Sequence, residues 1–228
     1  MFVHRFDVEI DKSEVVHHLT LNYDGRADDR YLYSWAPGAG AIEFPDGGLR
    51  IRPEDTFRLE IHYNNARALT GIVDRTGVVM HAARPAGKEY AMRYTDTVDI
   101  AIPSLSRASV TANCVAASDF FIIAATPHMH AHGTAFQHLL QRADGTKEML
   151  VRLETWSFER QFFYDVGVGA ATGDRLRMTC DYRNDTTDEI LGGLQTSNEM
   201  CFNFMYVTPP TAQIRCPATC PPNVSCVL

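Results

Sequence analysis

The sequence lacks any apolar run of the roughly 18 residues that a membrane-spanning helix needs, so it predicts no transmembrane helix. It also lacks a block of like charge: 28 acidic and 21 basic residues are interspersed and give a net charge of −7. This balance argues against nucleic acid or an anionic membrane surface as a partner. Apolar residues make up 45% of the 228 residues, which is ordinary for a globular protein with a sizeable core.

The first 113 residues contain no cysteine, and the absence of any CxxC motif argues against a zinc ribbon. An even number of cysteines, three of them near the C-terminus, suggests disulfides formed in an oxidising compartment. We therefore expect a secreted, periplasmic or extracellular protein, with free thiols in a cytosolic protein as the alternative. The spacing does not choose a pairing. The six cysteines are Cys114, Cys180, Cys201, Cys216, Cys220 and Cys226.

The start of the chain, MFVHRFDVEI, lacks the apolar segment of a secretory signal and instead alternates like a strand. We expect a mature or trimmed chain whose signal peptide is not present. Long amphipathic helical patterns are also missing. Short runs rich in Val, Ile, Phe and Tyr, including 13–23, 120–127 and 151–158, alternate with turn residues and predict a sandwich or jelly roll. A boundary near 101–110 predicts two domains, 1–104 and 105–228.

The segment PHMHAHG crowds three histidines into five positions, His128, His130 and His132. Residues i and i+2 of a strand point to the same side, so His128 and His130 can present two imidazoles to one ion. His132 has the same parity, but Gly133 indicates that the strand has already turned. A surface histidine patch is the alternative interpretation.

Other candidate ligands lie elsewhere in the chain. His17 and His18 are neighbours and would face opposite sides of a regular strand, so joint binding needs a twist, a bulge or a strand end. His62 follows an alternating run and is a plausible third ligand, although a lone strand histidine is more often structural. Met200 precedes an apolar strand; two imidazoles plus its thioether would suit copper, because sulfur favours Cu(I).

Taken in order, these motifs resemble the copper type II, ascorbate-dependent monooxygenases, the family of the peptidylglycine- and dopamine-hydroxylating enzymes. The resemblance covers nearly the whole chain, and we expect a divergent member. It implies an all-β fold of two jelly-roll-type β-sandwich domains with one copper site in each. The motifs that carry it are VVHHLTL, YLYSWAPG followed by LRI, LEIHYNN, HMHAHG and NEMCFNFMYV.

The resemblance also implies the roles of individual residues. His17, His18 and His62 would bind an electron-transfer copper, whereas His128, His130 and Met200 would bind the copper where O2 meets substrate. His132 would not be a ligand. Ascorbate or another one-electron reductant would supply electrons, and a small-molecule or peptide substrate would be hydroxylated. The family further implies a Cys180–Cys201 bridge and a Cys114 bridge to Cys216 or Cys220, with the remaining two tail cysteines paired.

Two departures from the family bear on the substrate. In the peptide-hydroxylating enzymes an arginine two residues before HxH holds the substrate carboxylate, and here that position is Thr126. A substrate contact two residues past the methionine ligand is Phe202. A glycine-extended peptide is therefore a poor candidate and a more apolar pocket is expected, but no acidic residue stands out in the sequence as an amine anchor.

Two alternatives remain open. The first is a non-catalytic copper-binding or electron-transfer protein on the same scaffold. The second is a cupin-type enzyme with a single metal, which also uses HxH on a strand; the glutamate expected shortly after HxH is missing from residues 131–141.

Overall fold

Every helix or strand in the described part of this computed structural model is a β-strand, which confirms the all-β prediction. The structure describes residues 1–25, 31–84, 87–193, 195 and 197–217. Within these ranges no helix is long and apolar enough to cross a membrane.

The chain forms two compact units, and neither is one continuous stretch of sequence. The first unit comprises Met1–Met92, Glu159–Phe163 and Val207–Thr211. The second comprises Arg93–Phe158, Tyr164–Tyr206 and the residues from Ala212 onwards. The chain first leaves the first unit at Met92, ahead of the predicted division between residues 104 and 105, which stays a prediction.

The first unit contains a three-stranded antiparallel sheet of order β3-β2-β6, together with β1, which pairs with β4, β5 and β7. Its core includes Phe6 stacked on Tyr33 at a centroid distance of 5.3 Å. The strands are β1 (Phe2–Glu9), β2 (Val16–Asp24), β3 (Tyr31–Trp35), β4 (Ile42–Glu43), β5 (Gly47–Arg50), β6 (Thr56–Tyr63) and β7 (Gly77–Ala83).

The second unit has a sheet of order β13-β12-β15-β10-β18, a sheet of order β14-β11-β17-β8 and the short pair β9-β16. Strand β8 starts in the first unit, which its chain leaves at Met92, and continues into the second unit. The strands are β8 (Lys88–Thr97), β9 (Ala101–Ile102), β10 (Ser106–Ala116), β11 (Phe120–His128), β12 (Gly133–Gln141), β13 (Lys147–Leu153), β14 (Tyr164–Ala170), β15 (Arg175–Asn184), β16 (Ile190–Leu191), β17 (Cys201–Thr208) and β18 (Ile214–Arg215).

The two larger sheets of the second unit face each other across a core. Thr95 of β8 donates a hydrogen bond to the sulfur of Met178 of β15 at 3.5 Å, and Cys201 of β17 forms a disulfide with Cys180 of β15. Thr95 and Cys201 therefore point towards the core. Because side chains alternate along a strand, their neighbours on β8 and at the start of β17 point to the opposite face of that sheet.

The described cysteines form two bridges. Cys180 pairs with Cys201 and Cys114 pairs with Cys216, as the family resemblance predicted. The predicted bridge between Cys220 and Cys226 lies outside the described residues.

One predicted strand is too long. The alternation of residues 151–158 predicted a strand throughout, but β13 ends at Leu153. The reason is tertiary: Trp156 donates its indole N–H to the carbonyl oxygen of His130 at 3.2 Å, and Phe158 packs against histidine rings, so both leave the strand.

Candidate metal centres

The three histidines of the first unit come together on two paired strands. His18 of β2 is the register partner of His62 on β6, and their ring centroids are 4.2 Å apart. The register between these strands shifts between Val16 and His18, so His17 occupies a β-bulge. The bulge removes the strict alternation and lets both neighbouring imidazoles approach, with His17 and His18 centroids 5.3 Å apart.

The separation of the nitrogen atoms in this cluster suits a shared ion. The Nδ1 atoms of His17 and His18 are 3.3 Å apart. Two nitrogen ligands with metal bonds of about 2.0 Å span about that distance across one ion. Burial, reinforced by nearby His62 and opposed by Glu159, lowers the pKa of His17, which favours the neutral imidazole that a metal requires.

The rings of His17, His18 and His62 are close together, but their nitrogen atoms do not have the geometry of a metal site. In the described ranges, no group of three or more His, Cys, Asp and Glu side chains is positioned to hold a metal ion as it stands. Binding by His17, His18 and His62 therefore requires some rotation of the rings.

The histidines of the second unit lie where β11 ends. The rings of His128 and His130 have centroids 5.2 Å apart and planes inclined by 80°. Phe158 lies against both, with centroid distances of 6.3 Å and 6.1 Å. His130 is buried, and Nδ1 of its ring is 2.8 Å from the carbonyl oxygen of Asn198. Since a carbonyl only accepts, the ring proton lies on Nδ1 and the lone pair on Nε2, which is the tautomer of an oriented metal ligand.

Met200 lies immediately before β17 and belongs to the same part of the unit. Its carbonyl oxygen accepts a hydrogen bond from the hydroxyl of buried Tyr182 at 2.8 Å. Because Cys201 points into the core, Met200 and Phe202 point to the other face of the sheet.

The carboxylate of Glu199 joins the two ligand-bearing segments. One oxygen, Oε2, accepts the backbone N–H of His130 at 2.9 Å and that of Met200 at 3.3 Å. The other oxygen, Oε1, accepts the backbone N–H of His132 at 2.7 Å. Glu199 is fully buried, and burial raises its pKa while these three hydrogen bonds oppose the rise. His132 thus takes part in this junction through its backbone, as a non-ligand of the family would.

A cluster of aromatic rings, with Asp96 beside it, occupies the same sheet face as Met200; Phe202 and Phe204 are buried, whereas Tyr94 is half-buried. Tyr94 of β8 lies beside Phe202 and Phe204 of β17, with both centroid distances 6.1 Å. Asp96 is the next residue on that face of β8. Burial raises the pKa of Asp96 to about 6. Sequence reasoning missed both Asp96 and Glu199; the only signal for Glu199 was its place beside Met200 in the NEMC motif.

Comparison with known proteins shows which family the chain resembles. A family model described as "Copper type II ascorbate-dependent monooxygenase, C-terminal domain" matches residues 89–226. Dopamine beta-hydroxylase of Canis lupus familiaris is 31% identical over 207 residues, covering 81% of this chain and 33% of the relative. DBH-like monooxygenase protein 2 of Mus musculus is 29% identical, covering 78% and 32%. Dopamine beta-hydroxylase of Bos taurus is 28% identical, covering 84% and 35%.

The chain spans about a third of the length of these relatives. The family match nevertheless extends over more than half of the chain. It includes residues 128–132, called the HMH turn below, as well as Glu199 and Met200. The chain belongs to the copper type II ascorbate-dependent monooxygenase family.

Proposed function

We propose that this chain is a copper-dependent monooxygenase that hydroxylates a substrate C–H bond with O2 and an external reductant such as ascorbate. The observation that carries the proposal is the meeting of the HMH turn and the Met200 segment at the carboxylate of Glu199. This junction supports one metal site built from imidazole and thioether donors. The net reaction converts R–H, O2, two electrons and two protons into R–OH and water.

His128, His130 and Met200 would hold the copper at which O2 and substrate meet. Imidazole serves both oxidation states of copper and a thioether favours the reduced one, so the set suits an ion that cycles. When bound, this copper would supply the activation of O2 for C–H hydroxylation. The hydrogen bond to Asn198 fixes the ring of His130, and Phe158 gives the two imidazoles an apolar neighbour that restricts water.

His17, His18 and His62 would hold a second copper, whose chemistry is one-electron transfer. The bulge at His17 and the register of His18 with His62 support a common ion for the three rings. We extend the proposal to two jelly-roll-type domains that carry one copper each. The two disulfides support action in an oxidising compartment, either outside the cell or in the periplasm.

For the substrate we propose a small organic amine with an apolar or aromatic body. Asp96 supplies a half-buried carboxylate and Tyr94 a half-buried aromatic ring on the same side of the sheet as Met200, and the buried rings of Phe202 and Phe204 pack beside Tyr94. An ammonium group is attracted both by a half-buried carboxylate and by aromatic faces. Thr126 provides no positive charge for a substrate carboxylate, which argues against a glycine-extended peptide.

The proposal is tested by copper stoichiometry after reconstitution, combined with ascorbate-dependent O2 consumption. We expect two coppers in the wild type and one in the His128→Ala/His130→Ala double variant. Met200→Ile should abolish turnover while the copper of the first unit stays bound. His132→Ala is the matched control, because alanine keeps the backbone N–H that reaches Glu199; it should keep both coppers.

The outcomes separate the remaining interpretations. Two coppers with no reductant-dependent O2 consumption in the presence of amines would indicate the non-catalytic copper protein. One metal per chain would indicate a mononuclear site and contradict the dicopper proposal. Full activity in Met200→Ile would contradict the assignment of Met200.

A further inference from the structure

The strongest unexplained feature outside the proposed ligands is the burial of a carboxylate among backbone N–H groups. Glu199 is 0% exposed, and its three carboxylate hydrogen bonds all come from backbone N–H groups. Removing a carboxylate from water is costly unless hydrogen bonds replace the lost hydration. A glutamate at this position therefore needs a reason beyond packing.

The identity of the donors supplies that reason. Two N–H groups belong to the HMH turn, at His130 and His132, and the third belongs to Met200. The turn and Met200 are about 70 residues apart in sequence, since Glu199 and His130 are separated by 69 positions. The carboxylate thus ties together two segments that no covalent link holds at this point.

The neighbours of Glu199 reinforce the same junction. The carbonyl oxygen of the preceding residue, Asn198, accepts the ring N–H of His130. The backbone N–H of Glu199 donates to the carbonyl oxygen of Leu191 at 3.0 Å. On the other side of the turn, Trp156 donates to the carbonyl of His130. The backbone of His130 is therefore held at its N–H by Glu199 and at its C=O by Trp156.

We propose that Glu199 is a positioning residue, whose carboxylate fixes the distance between the thioether of Met200 and the imidazoles of His128 and His130. This inference rests on the proposed function, because it assumes that these three side chains bind one copper. Glu199 does not touch the metal; it acts through the backbone that carries the ligands. Partners of this kind set ligand orientation, and their loss typically lowers metal affinity about 10- to 100-fold.

The discriminating substitution is Glu199→Gln. Glutamine has nearly the same shape but only one acceptor oxygen, so its amide N–H2 must face at least one backbone N–H. Either the hydrogen bond from His132 or the shared pair from His130 and Met200 is then broken. Glu189→Gln is the matched control, since Glu189 is an exposed glutamate of the same unit.

The experiment uses the full chain with His17→Ala/His18→Ala as background, so that copper binds only in the second unit. Cu(I) affinity is measured by competition with a chelator, and the copper–sulfur distance by X-ray absorption. We expect Glu199→Gln to weaken Cu(I) binding about 10- to 100-fold and to break or lengthen the copper–sulfur bond. Glu189→Gln should change neither. Thermal unfolding of the copper-free proteins reports any general destabilisation.

The measurements distinguish a failure of the proposed function from a failure of the positioning role of Glu199. A wild-type site without a copper–sulfur bond would overturn the proposed function itself, because Met200 would not be a ligand. A wild-type copper–sulfur bond that persists at the same distance and affinity in Glu199→Gln would overturn only the positioning role. A lower melting temperature with unchanged copper spectroscopy would likewise assign Glu199 to stability alone.

Discussion

At the scale of single residues, Asp96 is the candidate anchor for the amino group of the proposed substrate. The sequence offered no acidic residue as an amine anchor, because a lone aspartate in a strand carries no local signal of its surroundings. The structure places it next to Tyr94 on the face that carries Met200 and Phe202. Its raised pKa reflects burial, which an ammonium group would offset by pairing with the charged form.

The first prediction tests this anchor with a charged substrate and its neutral counterpart. We expect Asp96→Asn to raise KM for 2-phenylethylamine at least about 10-fold, since a partly desolvated ion pair of about 1.4 kcal/mol or more is removed. The KM for 2-phenylethanol should stay within about twofold. Steady-state O2 consumption measures both. Equal losses for the two compounds would contradict a role in charge recognition.

A second residue, His138, lies in the buried core of the second unit and makes the stability of the protein depend on pH. It is fully buried, accepts a hydrogen bond from Nδ2 of Asn203 at 2.6 Å, and burial lowers its pKa to about 3. The unfolded chain binds a proton at this ring near pH 6.5, whereas the folded chain does not. The unfolded state therefore binds more protons between about pH 6.5 and pH 3, so stability falls as pH decreases through this window.

The second prediction follows from that sign. Lowering the pH from 7 to 5 should remove about 2 kcal/mol of unfolding free energy through His138 alone. Urea unfolding at the two pH values measures the loss. His138→Leu should unfold more easily at pH 7, because Asn203 loses its partner, yet show a smaller pH dependence. An unchanged pH dependence in that variant would assign the effect to other groups.

At the scale of secondary-structure elements, β17 serves two faces at once. Cys201 and Asn203 contact the facing sheet of the core, whereas Phe202 meets Tyr94 on the opposite face, beside the region of Met200. Because side chains alternate along a β-strand, the neighbouring residues Cys201 and Met200 place the disulfide on one face of the sheet and the thioether on the other. A one-residue shift of β17 would exchange the core and site faces.

The close contact where β12 begins gives the third prediction. A Cβ on Gly133 would lie 2.7 Å from Cδ1 of Trp156 and 2.9 Å from Cε of Met129. Gly133→Ala should therefore destabilise the protein by about 1–3 kcal/mol, because Trp156 must shift and its hydrogen bond to His130 is disturbed.

Gly169→Ala is the control, since a Cβ there makes only ordinary contacts, at 3.7 Å to Cδ2 of Phe121 and 4.0 Å to the carbonyl oxygen of Phe120. It should change stability by no more than about 0.5 kcal/mol. Urea midpoints of both variants provide the comparison. Equal midpoints would show that Trp156 and Met129 move without cost.

Sequence reasoning predicted these elements unevenly, for identifiable reasons. Strand parity predicted that His128 and His130 lie together; their rings are close, but β11 ends at His128 and His130 lies beyond it. Parity also showed that adjacent His17 and His18 require a special backbone. It did not choose between a bulge, a twist and a strand end, because register depends on the partner strand β6. The end of β13 was missed for the same reason: Trp156 leaves the strand for a contact with a distant carbonyl.

The junction at Glu199 was beyond the reach of local patterns altogether. Its three partners become visible only when a turn and a strand start from different parts of the chain meet. The disulfides were accessible from sequence only through the family resemblance, since cysteine spacing allows many pairings.

At the scale of the whole molecule, the two disulfides close loops of very different length. Cys180 and Cys201 are 21 residues apart, whereas Cys114 and Cys216 are 102 apart. A bridge restricts the unfolded chain more when the loop is longer, by about 3 kcal/mol for short loops and nearly 5 kcal/mol for loops of about 100 residues.

The fourth prediction compares the two bridges. Cys114→Ala/Cys216→Ala should lower the unfolding free energy by about 1–2 kcal/mol more than Cys180→Ala/Cys201→Ala does. Urea unfolding measures both, and copper content should fall mainly in the second variant, whose bridge lies beside Met200. The opposite ranking of stabilities would indicate that poorer core packing around Cys180 outweighs loop entropy.

The first unit depends on two short segments that the chain supplies late. Gln161 donates its backbone N–H to Pro37 and Phe163 stacks on Tyr33 at 6.0 Å, so residues 159–163 complete a unit that starts at Met1. During synthesis the ribosome releases Val207–Thr211 only after most of the second unit has been made. The unit that is translated first is therefore completed only after most of the second unit has been translated. A recombination event that exchanged only the leading codons would separate it from its own later parts.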